Sequence, residues 1–225
     1  MFDARQLLDQ VMGALPPDAR QGQLPGGSGQ LLTGALAGGV LGLLAGNKRV
    51  RRFAGKSAGT ALQLGGLAAV AAIGYTAWQR QRGAGGAGLQ LPPADSGFAP
   101  ARAPDGADRL ARGIMVAMIQ GAKADGHVDA TEQARIFAQI EALGLDAEAK
   151  AFVMDELAAP ADASRVAAHA ATPEVAAELY AAALLAMDPD TAGERLFLTR
   201  LQAALRLDPG LAQQIEDTVR AAEDG

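Results

Sequence analysis

Cysteine is absent from the 225 residues, which excludes a disulfide framework and any thiolate metal site. Aromatic residues make up only 4% of the chain and alanine is abundant. That composition favours helices packed closely through small side chains over a β-sandwich. Histidine occurs twice, and no P-loop, nucleophile elbow, H-E-x-x-H or G-x-G-x-x-G pattern is present. Carboxylates are plentiful, but nothing in the sequence separates a general acid from a general base among them. The expectation is an all-α protein that is not an enzyme.

Acidic residues are scarce in the first half and plentiful in the second. Residues 1–104 carry ten Lys/Arg against four Asp/Glu, or +6; residues 105–225 carry ten against twenty-one, or -11, and the two give the overall -5. Such a split predicts separate environments, with the basic half near an anionic surface such as lipid head groups.

Residues 1–20 open with a short amphipathic helix, Phe2, Leu8, Val11 and Leu15 sharing one face. Asp3 and Asp9 interrupt what would otherwise read as a signal peptide. Pro16-Pro17 ends the helix, and residues 21–30 form a linker. Residues 31–46, L-L-T-G-A-L-A-G-G-V-L-G-L-L-A-G, contain no charge and repeat glycine every fourth position at Gly34, Gly38, Gly42 and Gly46. In water each helical glycine costs about 1 kcal/mol relative to alanine. Between membrane helices the same stripe permits close backbone approach, so self-association through these glycines is expected. Sixteen residues fall short of the about 20 that span a bilayer, and a half-span or hairpin arm competes with a full span.

Five positive charges follow among residues 48–56. Their position between two apolar stretches favours a membrane flank over a nucleic-acid patch. Residues 57–79 run without a charge and end in Tyr75 and Trp78, then Arg80 and Arg82, the order of an aromatic belt and a cationic anchor. This is the best candidate span within a membrane region covering residues 31–82. Its main rival is a buried, alanine-rich helix of a soluble domain. Residues 83–104, rich in Gly and Pro, read as a flexible linker and domain boundary.

Residues 105–225 read as about seven short helices that fold independently. Leu110, Ile114, Met118 and Ala122 form the first apolar stripe, and Ile136, Phe137, Ile140 and Leu143 the second. Asp146, Thr172-Pro173, Thr191 with Glu194, and Asp208-Pro209 mark later helix starts. The densest polar group is A-D-G-H-V-D-A-T-E at residues 124–132, with Asp125, His127, Asp129 and Glu132. Asp188, Asp190 and Glu194 form a second acidic group. Helix capping accounts for Asp129 and Glu132 almost completely, and for Asp125 less well. Aligned as an EF-hand, the loop would need carboxylates at Gly121 and Lys123, so it is no working EF-hand.

The pattern A-x-A-D-G-x-V-D-x-x-E-x-x-x-I, with the later L-F-L-T-R-L-Q-A-A-L-R-L-D, resembles the TerB-like domain named after tellurite-resistance proteins. A TerB-like domain behind a glycine-rich apolar half is similar to the YebE-type family of bacterial inner-membrane proteins of unknown function. The resemblance implies an all-helical domain with acidic metal ligands near helix starts, which carry over to Asp125, Asp129 and Glu132. They carry over less directly to Asp188, Asp190 and Glu194, where Pro189 replaces Gly126. It implies a divalent cation as the ligand and no activity. The expected function is a membrane-anchored helical module in the bacterial inner membrane, sensing an ion or binding an unnamed protein partner in envelope stress or metal tolerance. Membrane lipid is a partner and nucleic acid is not. The alternative is a peripheral or soluble hydrolase-like protein using the acidic cluster.

Overall fold

The computed structural model describes residues 66–86, 88–124, 147–187 and 189–224. Among them the chain is all helical. The helices are α1 (Gly66–Gln81), α2 (Gly106–Ala122), α3 (Ala147–Ala158), α4 (Ala163–Ala167), α5 (Pro173–Leu185), α6 (Ala192–Ala204) and α7 (Pro209–Asp224). A 3-10 turn, Pro100–Arg102, precedes α2.

The centre of the bundle is the pair α2 and α5. Alanine dominates α5, and every residue from Val175 to Met187 is buried, so the helix has neighbours on all sides rather than along one stripe. Side chains this small let helix axes approach closely. The approach is tightest at Gly121, where an added Cβ would lie 2.5 Å from the Ala183 carbonyl oxygen. Helices α1 and α7 pack on another side of α5, and α7 turns Leu211, Ile215 and Val219 inward.

The helix starts follow local chemistry. Thr172 accepts from Val175 N–H at the start of α5, Asp162 from Ser164 N–H at α4, and Asp208 from Leu211 N–H at α7. Each bond satisfies one of the donors left over in a first turn. The second expected stripe, residues 136–143, and the expected cap at Asp146 lie outside the described residues, as do the amphipathic helix, the linker 21–30 and the glycine repeat.

The structure differs from the sequence expectation at α1. Of the expected span 57–79, residues 66–79 belong to this helix, which packs against α5 and α7. Val70, Ala71, Ile73, Thr76 and Ala77 have no exposed surface. Tyr75 and Trp78, read as an aromatic belt, instead meet the buried Phe98 ring edge-on, with centroids 5.9 and 5.6 Å apart. Arg82 lies over Trp78 at 4.7 Å, and Arg80 donates to Thr218 Oγ1 at 3.0 Å. None of the described helices is long and apolar enough to cross a membrane. The physical reason is that a helix enclosed by protein and a helix enclosed by lipid both exclude charge.

Residues 83–104 likewise do more than connect. Gln90 N–H donates to Thr76 Oγ1 at 2.8 Å, and Phe98 is 3% exposed. The segment folds back along α1 and closes it against α5, so the packed unit extends well before Asp105.

Candidate functional site

Asp125, Asp129, Glu132 and Asp188, together with His127, lie outside the described residues. Asp190 and Glu194 lie within them, and Glu194 serves the start of α6. Glu194 Oε2 accepts from Thr191 N–H at 3.0 Å and from Thr191 Oγ1 at 2.8 Å, while Glu194 N–H donates to Thr191 Oγ1 at 3.2 Å. This is the reciprocal capping box that the Thr191/Glu194 spacing predicts. The Asp190 carbonyl accepts from Arg195 Nη1 at 2.7 Å. Among the described residues no three acidic or histidine side chains are gathered as metal ligands.

The acidic segment is nonetheless preceded by a polar brace at the end of α2. Helix α2 ends at Lys123, its C-cap residue, two positions before Asp125. Lys123 Nζ donates to the carbonyl of Glu156 at 2.6 Å and to that of Ala159, capping the end of α3. One turn earlier on α2, Gln120 donates through Nε2 to Glu156 Oε2 at 3.0 Å and accepts through Oε1 from Asp162 N–H at 2.9 Å. Arg165 of α4 closes the group, donating to the two Glu156 oxygens at 2.5 and 3.2 Å.

The electrostatics follow from this enclosure. Burial alone would raise the Glu156 carboxyl. The Arg165 and Gln120 hydrogen bonds, with the charges of Arg165 and Lys123, outweigh it and hold Glu156 below the usual carboxylate range. Burial lowers Lys123 more than the Glu156 charge raises it, and Arg165 adds to the lowering. A buried ion is tolerated only when its partners replace the lost water, and here they do. Chemically the group is a brace: its donors and acceptors are spent on one another. It ties the end of α2, just before the acidic segment, to the far end of α3 and to α4. Periodicity does not single this group out, although two polar residues three apart on the apolar α2 are its trace in the sequence.

Two further polar side chains have buried atoms without a partner among the described residues. Glu178 on α5 is 1% exposed, and neither of its oxygens has a hydrogen-bond partner among the described residues. Burial, and then the charge of Glu174, push its carboxyl well above the usual range. His169 has a buried, partnerless Nδ1 and lies against Gly113, where a Cβ would come within 2.9 Å of the His169 Cβ. Burial and the nearby Arg109, Arg112 and Arg165 lower its pKa against the pull of Glu156. Tyr180, by contrast, is satisfied, donating to Glu216 of α7 at 2.8 Å.

The family model described as "Protein of unknown function (DUF533)" matches residues 30–219. The "Uncharacterized protein in ampR 5'region" of Yersinia enterocolitica is 26% identical over 113 residues, which cover 50% of this chain and 81% of that protein. No solved structure matches the chain.

Proposed function

We propose that this chain, which belongs to the DUF533 family, is a non-enzymatic helical module that takes a divalent cation on its acidic segment. The ligands in this reading are Asp125, Asp129 and Glu132, with Glu194 engaged in capping α6. The observation that carries it is the brace. Gln120 and Lys123, at the end of α2 just before the segment, are held to Glu156 near the far end of α3 and through it to Arg165 of α4. Fixing the residue just before the segment lowers part of the ordering cost of binding, because that flank need not be ordered when the ligand arrives. The likeness of residues 124–132 to a TerB-like domain supports the same ligands.

In this reading the module sits at a bacterial inner membrane. Residues 31–46, the basic run 48–56 and the residues up to 65 supply the attachment, since residues 66–79 are occupied within the bundle. The cation changes how the module meets a protein partner in envelope stress or metal tolerance.

Hard oxygen ligands favour Ca²⁺ or Mg²⁺, and participation of His127 would favour Mn²⁺ or Zn²⁺. Melting of the full chain in each of the four ions tests this. A ligand bound only by the folded state adds about 2.7 kcal/mol at a hundredfold excess over its dissociation constant. Asp125→Asn should abolish the gain, whereas a melt indifferent to all four ions would leave capping as the role of the segment.

A further inference from the structure

We propose that Glu178 is a protonation-controlled latch: with its carboxyl neutral, Gly74 of α1 and the Phe98 turn close over it, and with it ionised that contact opens to water.

The latch rests on what surrounds the carboxyl. Glu178 lies on the face of α5 that receives α1, and the contact is made by Gly74, whose added Cβ would come 3.5 Å from Glu178 Cγ. The same Cβ would come 3.1 Å from the Phe98 ring, so backbone, ring and carboxyl stem meet at one point. Phe98 in turn bears on Tyr75 and Trp78. The carboxyl stem thus lies against the α1 backbone at Gly74, which the Phe98 ring also meets, and neither oxygen has a hydrogen-bond partner among the described residues. A neutral carboxyl tolerates this enclosure far better than a carboxylate, which would demand water or a cation.

No cation faces it. On its own helix the neighbour is Glu174, one turn earlier and beside Gly97, and its charge opposes ionisation. On α1, Arg80 donates to Thr218 and Arg82 lies over Trp78. On α2, Arg109 pairs with Asp105, Arg112 lies over Phe152, and Lys123 caps α3. Arg165 of α4 is bound to Glu156, and Arg195 of α6 to the Asp190 carbonyl. On α7, Arg220 pairs with Asp217, and Glu216 is held by Tyr180, two residues from Glu178 and so on another face of α5.

Relief must therefore come from water, and α1 is the element that can admit it. Helix α2 is held to α5 by backbone contact at Gly121 and Ala183, which cannot slide without moving both helices. The roof over Glu178 is secured by side-chain bonds at its far end, Arg80 to Thr218 and Gln81 to Asp208, and by Thr76 to Gln90. Charging Glu178 sets the hydration of one carboxylate against the apolar contacts of Gly74 and Phe98.

Trp78 is the single tryptophan of the chain and touches Phe98, so it reports on the roof directly. The experiment follows Trp78 emission and acrylamide quenching in the full chain from about pH 5 to about pH 9, between the ordinary Glu value and those of Tyr and Lys. The emission should move to longer wavelength and quenching should increase in one transition, while far-UV circular dichroism keeps its helical signal. Glu178→Gln, neutral and isosteric, should hold the closed signal across the range. Glu174→Gln removes the opposing charge and should move the transition to lower pH. A flat Trp78 signal in the natural chain, a transition retained by Glu178→Gln, or loss of helical signal in step with the tryptophan change would each overturn the latch.

Discussion

Cutting the chain at Asp105, where its composition suggests a boundary, should cripple the helical domain. The cut removes α1 and the Phe98 turn, and with them Leu67, Val70, Ile73 and Phe98, which are 6%, 0%, 0% and 3% exposed. Burying one such side chain contributes about 1.5–3 kcal/mol, so the four together contribute about 6–12 kcal/mol. Part of that area is already hidden in a real unfolded chain, which makes the figure an upper one. It still rivals the about 5–15 kcal/mol by which whole domains are stable. The loss also uncovers the faces of α5 and α7 that α1 covers, including the partnerless Glu178. A fragment of residues 66–225 should melt cooperatively in circular dichroism and exclude the apolar dye ANS. A fragment of residues 105–225 should bind the dye and melt without a sharp transition. If the shorter fragment melts as sharply as the longer one and within a few degrees of it, α1 is not part of the core and the reasoning fails.

Gly121→Ala should destabilise the chain by about 1–3 kcal/mol in urea unfolding: alanine gains at most about 1 kcal/mol of helix propensity, while its Cβ meets the Ala183 backbone, which has no rotamer to offer. Gly113→Ala should cost less, because the obstacle there is the His169 side chain. Glu156→Gln should lower stability by less than the roughly 3–5 kcal/mol of a fully buried broken pair, since the Arg165 side chain is 41% exposed and partly screened. Because Glu156 titrates below its ordinary value, the stability it contributes is present above the unfolded carboxyl value and lost as pH falls through the lowered folded value. Urea midpoints measured down an acid series should show that loss in the natural chain and a shallower one in Glu156→Gln.

Helix starts were legible because their chemistry is local. Thr172, Thr191 with Glu194, and Asp208 each bond a backbone group three residues away. No tertiary partner is needed for such a bond, so spacing alone locates it. The all-helical class was legible for a related reason, since small residues with few aromatics and no cysteine leave close helix packing as the way to make a core. The acidic segment at residues 124–132 stands out by composition alone, and its ligand role remains the reading tested by the cation melts.

Other features depend on what lies opposite a residue in space. Residues 66–79 exclude charge whether lipid or protein surrounds them, and only the packing of α1 on α5 and α7 identifies protein as the surroundings. Lys123 and Glu156 are 33 positions apart, and neither carries a local sign of the other. Glu178 sits among alanines that bury α5 on every side, so helical periodicity offers no polar face to which it could be assigned. Whether a carboxylate in such a helix meets water, a cation or Gly74 is decided by the neighbouring helix, which approaches from about a hundred residues earlier in the chain.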